Sequence, residues 1–170
     1  MRKLLLAGVF CGGVAASACA APITPFSFYA GYFRGGSFSD NFGNRVHFSG
    51  FELGVQQSLI SLPIFGALNL GASVVLGGSA GGVDGNLYRV YADYKTATAP
   101  GSSVYGIVGL GYYYASGGSF GHQSGLGPEF GFGFPLGLRL PAGPSASVEA
   151  RYRIGRTATT GFSIGLNVAF

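Results

Sequence analysis

Gly161-Phe-Ser-Ile-Gly-Leu-Asn-Val-Ala-Phe170 decides the fold. Every second residue, Phe162, Ile164, Leu166, Val168 and Phe170, is large and apolar. Between them stand Ser163, Gly165, Asn167 and Ala169, all small or polar. An extended chain sends successive side chains to opposite faces, so this stretch predicts a strand with one apolar and one small or polar side. A helix, repeating every 3.6 residues, would mix the two sets.

The same period recurs upstream. Ser145–Ile154 sets Ala146, Val148, Ala150, Tyr152 and Ile154 against Glu149, Arg151 and Arg153. Leu126–Phe134 sets Phe130, Phe132 and Phe134 against Glu129, Gly131 and Gly133. Val104–Tyr114 sets Val104, Val108, Leu110, Tyr112 and Tyr114 against Gly109 and Gly111. Leu87–Lys95 sets Tyr88, Val90, Ala92 and Tyr94 against Arg89, Tyr91, Asp93 and Lys95. Phe65–Leu76 sets Leu68, Leu70, Ala72, Val74 and Leu76 against Asn69, Gly71 and Ser73. Val46–Gln57 sets Phe51, Leu53 and Val55 against Glu52, Gly54 and Gln56. Phe26–Phe33, the least regular, sets Phe26, Phe28, Ala30 and Tyr32 against Ser27, Tyr29, Gly31 and Phe33. Eight strands result. The segments 35–44, 58–63, 77–86, 96–102, 116–124, 135–144 and 155–160 have the Gly/Ser/Asn/Pro composition of turns and loops, because Gly supplies positive φ and Pro removes a ladder donor. Their even spacing predicts antiparallel neighbours joined by hairpins.

Met1-Arg-Lys opens the chain as a basic n-region, Leu4–Ala16 is an apolar run of h-region length, and Ala18-Cys19-Ala20 is a small-x-small cleavage site. Residues 1–20 therefore read as a signal peptide, cut between Ala20 and Ala21, and 21–170 as the barrel domain. A membrane anchor would need a longer apolar run. Cys11 and Cys19, the only cysteines, both lie in the leader, so the mature chain is expected to hold no disulfide and no Cys metal site. A competing reading takes Ala16-Ser17-Ala18-Cys19 as a lipoprotein box with Cys19 acylated.

Composition narrows the function. Of 170 residues, 48% are hydrophobic and 9% charged, with 32 glycines, against roughly 25% charged in soluble domains. Disorder requires the opposite balance, and the glycines lack the G-X-Y period of collagen. Without Arg2 and Lys3 the chain holds 8 basic and 6 acidic residues, a net charge of +2. That charge is too small and scattered for nucleic-acid binding. A helix through Leu59–Leu76 would have to absorb Pro63, Asn69, Ser73 and glycines.

The faces must then be oriented. Eight strands enclose an interior just wide enough for side chains, so eight stripes of Phe, Tyr and Leu would overfill it, whereas Gly, Ser and a few paired charges fit. So few charges could not coat a soluble surface. The expectation is a closed, eight-stranded, antiparallel, up-and-down transmembrane β-barrel, apolar outside, because in hydrocarbon only helices and closed barrels satisfy the backbone. Phe33, Tyr88, Tyr94, Tyr112–Tyr114 and Phe170 are candidates for interfacial girdles. Glu52, Arg89, Asp93, Lys95, Glu129, Glu149, Arg151 and Arg153 face inward, four acids and four bases, and are expected to pair as a lumen plug, since unpaired buried charge is costly. A narrow ion channel is the alternative.

The last strand resembles the C-terminal signature of bacterial outer-membrane barrels, a terminal aromatic preceded by apolar residues at alternate positions: Phe162, Ile164, Leu166, Val168 and Phe170. With the leader, the length and the strand count, the whole mature chain resembles the small OmpA/OmpX-like barrels. The resemblance implies an outer-membrane location, recognition by the barrel-assembly machinery, contact with outer-membrane lipids, a monomer, no cofactor, and no peptidoglycan-binding domain after Phe170. It also implies periplasmic chain ends, with segments 35–44, 77–86, 116–124 and 155–160 facing outward.

One triplet carries possible chemistry. His122-Gln123-Ser124 with Glu129 is similar to the His/Ser pair of the outer-membrane lipid A deacylase family, where a histidine base activates a serine and a carboxylate orients the histidine. Gly125 stands where that family carries Asn, and His47-Phe48-Ser49 with Glu52 repeats the pattern equally well. Two histidines are too few for a persuasive metal site, and the Gly-rich stretch 77–82 lacks the lysine of a phosphate loop. The leading expectation is a non-enzymatic structural, envelope-integrity or surface-contact protein. The others are a channel, a lipid-modifying enzyme and a secreted ligand-binding barrel. Leu166→Arg is expected to cost roughly 2–4 kcal/mol on a lipid face, and Asn167→Ser to be near neutral.

Overall fold

The computed structural model describes residues 26–39, 45–62, 64–77, 85–98, 103–117, 121–137, 144–156 and 159–170. The leader, its Ala20/Ala21 cleavage site and both cysteines lie outside the described residues. Eight strands follow in order: β1 (Phe26–Ser39), β2 (Arg45–Leu62), β3 (Gly66–Gly77), β4 (Gly85–Thr96), β5 (Tyr105–Gly117), β6 (Gly121–Pro135), β7 (Ser145–Arg153) and β8 (Gly161–Ala169). Each pairs antiparallel with its sequence neighbour, and β8 returns to β1 from Ser27↔Ala169 to Gly35↔Gly161, closing the barrel. Closure gives every strand a partner on both sides, the condition for a sheet to sit in hydrocarbon, although β6 before Glu129 and β1 after Gly35 rise beyond their β7 and β8 partners. A membrane-crossing strand takes about 9–11 tilted residues; β7 and β8 have 9 each and the others more. No helix among the described residues is long and apolar enough to cross a membrane, which says nothing of strands.

Alternation sets the two faces, and they are inverted relative to a protein folded in water. Phe51 is 71% exposed and Leu126 65%, whereas Glu52, Glu129, Glu149 and Arg153 are at 0%. Phe28, Leu53, Leu70, Val90, Leu110, Phe130, Phe132, Ile164 and Leu166 also point outward. A surface built this way is stable only against an apolar medium.

Several strands run further than the alternation suggested. β1 continues to Ser39, β2 to Leu62, and β6 begins at Gly121. The β1 and β6 extensions are rich in Gly and Ser, which carry no apolar stripe but still complete backbone ladders; the β2 extension is apolar, but a register shift between Ser58 and Ile60 breaks its alternation. Pro128, inside β6, pairs with Leu110, while pairing with β7 starts only at the next residue, Glu129. A proline is tolerated where a ladder ends.

Two girdle candidates are corrected. Phe33 and Tyr113 point into the lumen and are fully buried. They join Phe48, Val75, Leu87 and Ala115 in one apolar cluster. All six stand near the β1–β2, β3–β4 and β5–β6 hairpins, here called the hairpin end; Phe26 and Phe170 mark the opposite, terminal end. The lumen is thus not filled by small and charged groups alone. Room for the rings comes from glycines on neighbouring strands: a Cβ at Gly77 would lie 2.6 Å from Phe48, and one at Gly161 would lie 2.6 Å from Phe33.

Candidate functional site

The inward-facing charges come from four strands. Glu52 is on β2, Arg89, Asp93 and Lys95 on β4, Glu129 on β6, and Glu149, Arg151 and Arg153 on β7. Even-numbered spacing within β4 and β7 puts each set on the lumen face, and antiparallel order brings them to matching depths. All eight join one network. Arg153 meets Glu52 at 2.6 Å, and Arg89 meets Glu129 at 3.0 Å and Glu52 at 3.7 Å. Arg151 is the hub, reaching Asp93 and Glu129 at 2.8 Å and Glu149 at 2.6 Å. Lys95 closes the terminal end on Glu149 at 2.6 Å, its side chain 15% exposed. Beyond it an open mouth of about 320 Å³ is lined by Ser61, Lys95, Thr96, Thr98 and Tyr105 among others.

Neutral groups complete the shell. Ser73 donates to Glu52, Asn167 donates to Glu149, and Gln56 and Asn69 donate to Asp93, at 2.8–2.9 Å. Tyr105 donates to Glu149 at 2.7 Å, and Arg153 donates to Ser163 at 2.9 Å. The Tyr91 ring has two guanidinium groups close by, Arg89 at 3.6 Å and Arg151 at 5.4 Å. Arg153 sits 5.1 Å from the Phe33 ring, where network and apolar cluster meet. Arg89 Nε, Arg153 Nε and Nη1, and Asn167 Oδ1 are buried without a hydrogen-bond partner. The shell tyrosines and amides carry the right alternation in the sequence, but nothing there marks them as partners of particular charges. The bond from Asn167 to Glu149 also corrects the near-neutral expectation for Asn167→Ser.

The His/Ser triplet does not assemble with its acid. His122 lies in β6, not in a loop, on the outward face with Ser124 and Leu126. Glu129 is on the lumen face, engaged by Arg89 and Arg151. His122 instead stacks on Tyr114 at 6.0 Å, with Tyr114 Oη 3.1 Å from its Nδ1. The second triplet divides the same way, with His47 exposed and Glu52 in the lumen. Among the described residues no group of three His, Cys, Asp or Glu side chains could hold a metal.

The C-terminal strand carries Phe162, Ile164 and Leu166 outward, with Val168 half-buried on the same face. Phe170 donates its N–H to the Phe26 carbonyl at 2.8 Å, and its ring meets Phe28 edge-on at 5.8 Å. The last residue therefore fastens the seam between β8 and β1.

A closed eight-stranded antiparallel barrel, apolar outside and ionic within, has the fold of the small outer-membrane barrels of the OmpA/OmpX-like class. Comparison with solved structures finds the fold in Neisserial surface protein A (NspA), at 16% identity and a TM-score of 0.53, covering 85% of this chain and 94% of that one. Ail, the attachment invasion locus protein of Yersinia pestis, solved with the heparin analogue sucrose octasulfate, aligns at 18% identity and a TM-score of 0.48, covering 86% of this chain and 99% of that one. No family model and no curated protein sequence matches the chain.

Proposed function

We propose that the chain is an integral outer-membrane protein with a structural, envelope-integrity or surface-contact role, its lumen a plug and not a conduit. One observation carries the reading: four acids and four bases fill the lumen as a single paired network. An eight-stranded barrel has no width to spare for an aqueous path beside such a network. The outward Phe, Leu, Val and Ile side chains supply the lipid contact, and the shared fold with a protein named for the bacterial surface accords with a role there.

Residues 1–20 act as the export signal, with cleavage between Ala20 and Ala21. Phe162, Ile164, Leu166, Val168 and Phe170 present the strand that the barrel-assembly machinery takes up, and the folded protein is a monomer bounded by outer-membrane lipids. The outward separation of His122 and Ser124 from Glu129 favours this non-enzymatic role over lipid A deacylation.

Planar-bilayer recording tests the plug directly. The reconstituted protein is expected to add no stepwise conductance. Regular steps that persist after heat-modifiability on a gel has verified folding would replace the plug with the channel reading.

A further inference from the structure

Among the described residues the outer face carries only basic charged side chains. Among the described residues every acidic side chain, Glu52, Asp93, Glu129 and Glu149, is buried in the lumen. The exposed bases Arg34, His47, His122 and Arg156 all stand towards the hairpin end. Three of them share one corner. Arg34 follows Tyr32 on the outward face of β1, and its cross-strand neighbours are Ser49 on β2 and Phe162 on β8, neither able to neutralise it. His47 lies one outward step beyond Ser49. Arg156 belongs to the β7–β8 connection, where its carbonyl accepts the N–H groups of Thr159 and Thr160, and the Thr160 carbonyl in turn accepts the Gly36 N–H at 2.6 Å. The Arg34 side chain has no ion-pair or hydrogen-bond partner among the described residues.

A guanidinium on the outer face of a barrel is expensive at the bilayer midplane and nearly free at the interface. Arg34 stands directly above the apolar rows of Tyr32, Phe51 and Ile164, which are exposed side chains. This corner therefore marks the level where hydrocarbon gives way to headgroups. The anions available at that level are phosphates, and a guanidinium's planar fork matches their oxygens better than a point charge does. We propose that Arg34, assisted by His47 and Arg156, binds the phosphate of an anionic lipid headgroup in the leaflet at the hairpin end, with Tyr32, Phe51 and Ile164 against the acyl chain below. Arg34 lies on the side wall next to the exposed rings of Tyr32 and Phe162, which suits a lipid better than a dissolved anion. The inference rests on the membrane reading above.

Spin-labelled lipids in phosphatidylcholine vesicles provide the test. Phosphatidylglycerol is expected to associate with the wild-type barrel about fivefold more strongly than phosphatidylcholine, the factor that one guanidinium near an anionic lipid surface contributes. Arg34→Gln is expected to lose most of that preference, Arg34→Lys to keep part of it, and His122→Gln, on the far hairpin, to keep all of it. Arg156→Gln serves as the second loss variant should Arg34→Gln not insert. Equal association of both lipids with an inserted wild-type barrel overturns the site, as does a preference untouched by Arg34→Gln or, in its place, Arg156→Gln. Abolition of the preference by dissolved inorganic phosphate overturns the lipid assignment. A wild-type chain that never inserts, shown by full protease digestion and no heat-modifiability, overturns the membrane reading itself.

Discussion

The lumen is built of two materials, and they solve the same filling problem differently. At the hairpin end Phe33, Phe48, Val75, Leu87, Tyr113 and Ala115 pack as a lid. From there to the terminal end, Arg153, Glu52, Arg89, Glu129, Arg151, Asp93, Glu149 and Lys95 form a ladder of ion pairs. The lid needs shape, which Gly77 and Gly161 provide beneath its rings. The ladder needs stoichiometry, because a buried charge deprived of its partner is far more costly than one never placed there. The lid also keeps water from the upper pairs, and a water-poor surrounding strengthens each pair it isolates. Only the lower end reaches the open mouth, through Lys95.

Substitutions can break this division at each level. The largest effect is expected at Arg151, which faces three carboxylates: Arg151→Met should cost about 3–5 kcal/mol by the measure of broken buried pairs, read from urea unfolding in detergent micelles or vesicles. A compensated change sharpens the point. Glu52→Gln together with Arg153→Met is expected to cost less than the sum of the two single changes, since they share one bond pair. In the lid, Phe48→Ala should cost about 3 kcal/mol as a cavity without altering conductance, because the ladder beneath still fills the barrel. Leu166→Arg, outside the lumen, provides the reference for the lipid face at roughly 2–4 kcal/mol towards midplane depth. The smallest effect belongs to its neighbour: Asn167→Ser removes a donor to Glu149 and should cost about 1.5 kcal/mol, the lower end for a bond to a charged group. If Asn167→Ser cost more than Leu166→Arg, the assignment of the two faces of β8 would be in question.

Most of this architecture is legible in the sequence because a period of two is a geometric fact of extended chains. Phe162 to Phe170 could be assigned a face before any partner was known, and so could Glu149, Arg151 and Arg153. The lid was harder to see. Phe33 and Tyr113 look like girdle aromatics by type, and only strict adherence to alternation assigns them to the lumen. Leu87 and Val75 flank outward residues that are just as apolar, so composition hides the face that alternation fixes. Strand ends were lost where Gly and Ser replaced the stripe, which is why His122 read as a loop residue. The partner of each charge was out of reach altogether, because Arg153 finds Glu52 across the barrel and that pairing depends on closure and register.

The claim beneath the whole account is the direction in which the two faces point, and a matched pair of tryptophan reporters tests it most directly. The chain has no native Trp, so single substitutions give clean signals. Phe132 on β6 and Tyr105 on β5 lie at nearly the same depth, since Tyr105 pairs with Gly133 and Gly106 with Phe132, yet they face opposite ways. In vesicles of lipids brominated along the acyl chain, Phe132→Trp is expected to be strongly quenched and Tyr105→Trp to be left bright. Quenching of Tyr105→Trp with Phe132→Trp unaffected would contradict the account.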